Sequence, residues 1–218
     1  MPRVDRILKT IKLIERQVKG LKIPWVTIES ERKDPFRILI SCILSLRTKD
    51  KTTALASQRL FKIADTPGAI AKLLPSRLQR LIYPVGFYRN KTKVILRVSR
   101  EIITDYQGKV PDKEEELLEF KGVGRKTANL VLGLGYGIPA ICVDTHVHHI
   151  SHRLGWVKTK SPQESEFALK KIIPRNYWIR LNTILVAFGQ NICLPISPYC
   201  SRCKVRPLCK RIGVERWR

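Results

Sequence analysis

Four cysteines, Cys193, Cys200, Cys203 and Cys209, fall within seventeen residues as a C-x6-C-x2-C-x5-C run. In a reducing compartment, thiols clustered this closely mark a metal site more often than a set of disulfides. Structural zinc sites usually offer two short C-x2-4-C knuckles that grip one ion. Here a single C-x2-C is flanked by wider loops, which suit an iron–sulfur cubane, so the spacing favours iron–sulfur with zinc as the alternative. Cys42 and Cys142 lie among apolar residues and read as buried hydrophobes.

A second constellation is Phe120-Lys121-Gly122-Val123-Gly124-Arg125-Lys126-Thr127-Ala128, a glycine turn opening a helix that carries Ala128, Leu130, Val131 and Leu134. The glycines permit positive φ and close approach of a phosphate backbone, and the helix amino terminus offers unpaired N–H groups to that anion. A turn without a ligand would show the same glycines. Lys126 stands in the first helical turn, where a cation opposes the macrodipole by a few tenths of a kcal/mol. A third constellation is Val143-Asp144-Thr145-His146, ahead of Val147, Ile150 and Leu154 at helical spacing. Asp144 reads as an N-cap, and a catalytic carboxylate is the other reading.

The elements that must carry these residues are helical. Val4, Ile7, Leu8, Ile11, Ile14 and Val18 follow the spacing of one amphipathic helix, ended by Gly20. Further helices are predicted over about 35–46, 51–63, 67–74, 76–82 and 90–106. Ser161-Pro162-Gln163-Glu164 starts another that Pro174 stops, and a last helix is expected over about 175–188. Only Trp25–Ile28 and Ile138–Val143 look extended, and neither has a pairing partner at hairpin distance. The fold class is therefore all-α.

Composition bounds the rest. The chain has 218 residues, 44% of them hydrophobic, with 42 Lys and Arg against 18 Asp and Glu, a net charge of +24. Wholesale disorder, repeat architectures and membrane-spanning segments are disfavoured. Met1 to Arg6 runs into a charged amphipathic pattern with no apolar leader, so an intracellular protein is expected, cytoplasmic or nucleoid-associated in a prokaryote. The charge calls for a polyanion, with nucleic acid ahead of a membrane surface, and self-repulsion favours a monomer.

Taken together, the glycine hairpin with its Lys, the Asp eighteen residues later and the carboxyl-terminal cysteine run resemble the endonuclease III family. The resemblance covers most of the chain. It implies two helical domains flanking a DNA-binding cleft: a six-helix barrel with a helix-hairpin-helix over residues 27–138, and a discontinuous domain of residues 1–26 and 139–218 with one 4Fe-4S cluster loop at 193–209. It also implies base-excision repair of double-stranded DNA by a bifunctional N-glycosylase and abasic-site lyase, removing damaged, oxidised pyrimidines. Lys126 would be the Schiff-base nucleophile and Asp144 the electrostatic partner. Cys193, Cys200, Cys203 and Cys209 would hold the cluster. Gly122, Gly124, Lys121 and Arg125 in the hairpin, and Arg202, Lys204 and Arg206 among the cysteines, would meet the DNA.

Departures from the family pattern touch lesion choice. Lys121 stands where Pro is common, Arg47 where Gln is frequent, and His149 where Arg is common. Phe87, in Val85-Gly86-Phe87-Tyr88, falls where an apolar wedge is expected, although core packing is its simpler reading. Two other functions remain open at this level: a mismatch-directed (T/G or U/G) glycosylase of the same superfamily, and a non-catalytic metal knuckle that only binds nucleic acid.

Overall fold

The computed structural model describes residues 3–218; Met1 and Pro2, where the reading of the amino terminus begins, lie outside the described residues. Among those described there is no strand, and no helix is long and apolar enough to cross a membrane. The chain divides into two compact units, Trp25–Ile138 and a discontinuous one made of Met1–Pro24 and Pro139–Arg218.

Unit Trp25–Ile138 is built around α3 (Pro35–Ser45), in which every residue from Ile38 to Leu44 is buried. A helix apolar all round must be enclosed on all sides. Against it pack α2 (Trp25–Glu29), α4 (Asp50–Phe61), α7 (Tyr88–Tyr106), α9 (Arg125–Leu130) and a π-helical turn, Val131–Gly135. Helices α5 (Pro67–Ala71), α6 (Pro75–Ile82) and α8 (Glu114–Glu119) complete the unit. The start of α3 is set by Asp34, whose carboxylate accepts from the amides of Phe36 (2.9 Å) and Arg37 (3.2 Å), with Pro35 as first helical residue.

The other unit contains α1 (Arg3–Val18), α10 (Thr145–Arg153), α11 (Pro162–Lys170) and α12 (Trp178–Asn191). Ile7, Ile11 and Ile14 of α1 share one core with Val147 and Ile150 of α10 and with Leu181, Leu185 and Phe188 of α12. Ser161 caps α11 as expected, accepting from Glu164 N–H at 3.2 Å.

Two local expectations are corrected. Trp25–Ile28, read as extended, is the helix α2: Asp50 Oδ1 accepts from Trp25 N–H at 2.9 Å, and Trp25 and Val26 are buried, so packing outweighs β-propensity. The last helix begins later than 175, because Arg175–Tyr177 is a 3-10 turn and α12 runs on to Asn191. The segment 138–143 carries no helix, and its Cys142 carbonyl accepts from Asn182 Nδ2 at 3.2 Å. Removing the α3 cap in Asp34→Ala is expected to cost about 1 kcal/mol. Thermal melting should then fall by about 2–4 °C, readable by circular dichroism.

Candidate active site and cysteine centre

Helices α8 and α9 are joined by Phe120 and the turn Lys121-Gly122-Val123-Gly124, closed by Val123 N–H donating to Phe120 O at 2.9 Å. Gly122 has φ +103°, and a Cβ there would lie 2.9 Å from Val94 Cγ1, so both backbone sign and space exclude a side chain. Gly124 departs from the expectation. Its φ is −110°, an ordinary extended value, and it serves as the N-cap of α9 with open space around it. Buried Val123 anchors the turn while Lys121, Gly122 and Gly124 remain exposed. The Lys121 carbonyl is held by Arg97 Nη2 at 2.6 Å. Arg125, expected at DNA, is half-buried and ion-paired to Glu114 at 2.8 Å.

Lys126 is the second residue of α9 and is partly buried. Its charge is felt by Cys42, buried on α3, whose thiol is pushed up to about 12 by burial and pulled back only partly by Lys126. The amine therefore sits near an uncharged, apolar thiol. Asp144, in the other unit, is the N-cap of α10, its carboxylate accepting from Val147 N–H at 2.9 Å. The cap fixes the carboxylate while leaving acceptor capacity for other chemistry. The following His146 ring lies against Gly189, where a Cβ would come 2.4 Å from its Nδ1.

Arg47 and Phe87 are brought together. Both are exposed and both have left-handed backbones, φ 52° and 58°, with the guanidinium 4.7 Å from the ring centroid. Phe87 is 56% exposed, which overturns core packing as its role.

Cys193, Cys200, Cys203 and Cys209 line one cavity with Leu154, Phe188, Ile192 and Val205, and all are free thiols. No three metal-ligating side chains among the described residues converge as they would on a single ion. Burial pushes the thiols of Cys193, Cys203 (to about 11) and Cys209 up, and charge on neighbouring cysteines adds to each shift. Arg153, itself buried, donates to Cys193 Sγ at 3.4 Å, to Leu194 O at 2.8 Å and to Pro195 O. The amide of Arg211 donates to Cys209 Sγ at 3.4 Å. From α1, Gln17 bridges Arg202 O (2.9 Å) and Lys204 N–H (3.0 Å). Arg202, Lys204 and Arg206 are exposed, and two of them are braced by aromatic faces, Arg202 on Tyr199 (3.8 Å) and Arg206 on Trp217 (4.9 Å).

Sequence reasoning missed Arg153 and Lys91. Lys91 left a signal: it continues the stripe Ile95, Val98, Ile102 on α7, and all four are buried.

Residues 40–175 match the HhH-GPD superfamily of base excision DNA repair proteins. Endonuclease III of Thermotoga maritima is 50% identical over 177 residues, covering 81% of this chain and 83% of that protein. The chloroplastic endonuclease III homolog 2 of Arabidopsis thaliana is 43% identical over 80% of this chain, which spans 47% of that protein. The solved structure of a trapped endonuclease III–DNA covalent intermediate superposes with a TM-score of 0.85 at 32% identity, covering 97% of each chain.

The two hairpin glycines should respond differently to substitution. Gly122→Ala is expected to cost roughly 1–3 kcal/mol from backbone strain, and Gly124→Ala about 1 kcal/mol or less. Urea unfolding of the two variants measures the difference.

Proposed function

We propose, from the premise that this chain belongs to the endonuclease III family of HhH-GPD base excision DNA repair proteins, that Lys126 and Asp144 carry its chemistry and that oxidised pyrimidines are its lesions. The family makes it a DNA glycosylase with a coupled abasic-site lyase, acting on DNA. The observation that carries the assignment is the hairpin: a buried Val123, an obligatory glycine at 122 and a short helix present one partly buried Lys at a fixed place.

The steps follow from the groups. Lys126 Nζ, as the free amine, attacks C1′ of a flipped-out nucleotide, and the C1′–N bond breaks as the base leaves with a proton. The nitrogen lone pair then opens the sugar ring, O4′ taking up a proton, and leaves a protonated Schiff base that keeps one N–H. Its protonated C=N acidifies the C2′–H, whose removal expels the 3′ phosphate by β-elimination, and water then releases the Lys. Asp144 stabilises positive charge on the sugar as the base departs and accepts the proton leaving Lys126. The superposition on a covalent endonuclease III–DNA intermediate supports a covalent step between protein and DNA.

The cysteine centre is read as the site of one 4Fe-4S cluster. An all-thiol donor set in one cavity, with Arg153 and the Arg211 amide beside two of the sulfurs, fits a cubane whose sulfurs accept such bonds. Cys193, Cys200, Cys203 and Cys209 would hold it, and its contribution would be structural, fixing the loop that presents Arg202, Lys204 and Arg206 to phosphates. Residues 27–138 would act as the barrel domain, and 1–26 with 139–218 as the cluster domain. Thiolates held in this way suit a reducing, intracellular setting.

Borohydride reduction of the protein on a duplex with one abasic site should trap a covalent adduct, absent in Lys126→Gln. No adduct from the native, DNA-binding chain would overturn the lyase assignment. Analysis should find iron and acid-labile sulfide in equal amounts, where a zinc knuckle would give neither. Release of base from oxidised-pyrimidine duplexes rather than from T/G or U/G mispairs is expected, and cleavage of mispairs alone would reverse the lesion assignment.

A further inference from the structure

Lys91 is a buried cation with no acidic partner at hydrogen-bond distance among its described contacts. Its ammonium instead donates to Leu44 O (2.8 Å), Leu46 O (2.5 Å) and Thr48 Oγ1 (3.0 Å), which uses all three of its N–H groups. Two acceptors belong to the carboxyl end of α3, where a cation also complements the helix dipole. The third, Thr48 Oγ1, in turn accepts from Gly86 N–H at 3.1 Å. Lys91 therefore joins two loops, Leu46-Arg47-Thr48 and Gly86-Phe87. They meet so closely that a Cβ on Gly86 would lie 2.6 Å from Arg47 O.

Each loop carries one non-glycine residue in the left-handed region, Arg47 and Phe87. Such conformations persist only where the surroundings over-determine them. Here the surroundings are the hydrogen bonds that converge on Lys91 and Thr48. Burial pulls the Lys91 pKa down to about 8, so at neutral pH the side chain is still an ammonium with three donors. An apolar residue on this stripe of α7 would avoid the desolvation cost and leave both α3 carbonyls without that donor.

We propose that Lys91 is a positioning residue that locks the Arg47 and Phe87 loops into one rigid element, an assignment that rests on Arg47 and Phe87 being DNA contacts. Phe87 then enters the base stack, and Arg47 takes up the space beside it, without first paying to order two exposed loops. Lys91 itself touches no DNA; its effect is on how far the duplex is opened once bound.

The experiment uses the full chain and a duplex carrying a tetrahydrofuran abasic analogue opposite 2-aminopurine, whose fluorescence rises when it unstacks. Phe87→Ala is expected to abolish the rise. Lys91→Met and Thr48→Val are expected to reduce it and, on a separate duplex carrying an oxidised pyrimidine, to slow single-turnover base release by about tenfold to a hundredfold, while affinity for undamaged duplex and the circular dichroism spectrum stay at native values. If Phe87→Ala loses the rise but Lys91→Met and Thr48→Val keep both rise and rate, the clamp is overturned and the wedge stands. If Phe87→Ala keeps the native rise, the wedge fails and the clamp with it. Should Lys91→Met not fold, Thr48→Val, which keeps the side-chain shape and removes only the hydroxyl, decides alone.

Discussion

A helix enclosed on every side cannot leave its last carbonyls to water, and α3 is such a helix. Its carboxyl end is satisfied group by group. Cys42 O accepts from Ser45 Oγ at 2.8 Å, Ser45 O from the Thr48 amide at 3.1 Å, and Leu44 and Leu46 O from Lys91. The loop that follows has its path set by these bonds. The same helix forms the floor beneath α9, so the hairpin, Lys126 and the Arg47–Phe87 pair all take their places from one buried rod. Burial comes first, and the polar contacts follow from the need to close what burial leaves open.

The discontinuous unit works by a different constraint. Its core joins α1, α10 and α12, and the carboxyl-terminal loop has little regular structure of its own, only two 3-10 turns. That loop is tied to the helices by side chains reaching backbone: Gln17 and Arg6 from α1, and Arg153 from α10. The loop's own backbone bonds are mostly local turns, so these ties are what fix it to the helices. Helix α10 thus serves at both ends, with Asp144 as its cap and Arg153 in its last turn.

Much of this was legible in the chain. Ser161 and Asp144 announced themselves as caps, since a small oxygen-bearing side chain before an apolar helical stripe has few other uses, and both accept the expected amides. The hairpin was legible because glycine at 122 answers a backbone demand. Gly124 was over-read for the same reason: the two glycines flanking Val123 look alike in sequence, but only Gly122 has a positive φ. Trp25–Ile28 misled because β-branched residues favour strands only when a pleated surface is available, and here the partner is a helix. Lys91 was passed over because a single Lys on an apolar stripe is usually a snorkelling side chain, and what makes it different is a carbonyl cluster more than forty positions away.

The Cys42 thiol, near enough to Lys126 to feel its charge, bears on durability. Protein sulfur is oxidised through its thiolate, and the rate follows the fraction of that form. Cys42, its ionisation deferred to about pH 12 by the surrounding apolar side chains, holds almost none. Peroxide reaching this protein would find that buried thiol protonated and slow to react, so α3 gains there neither charge nor the bulk of a sulfinate.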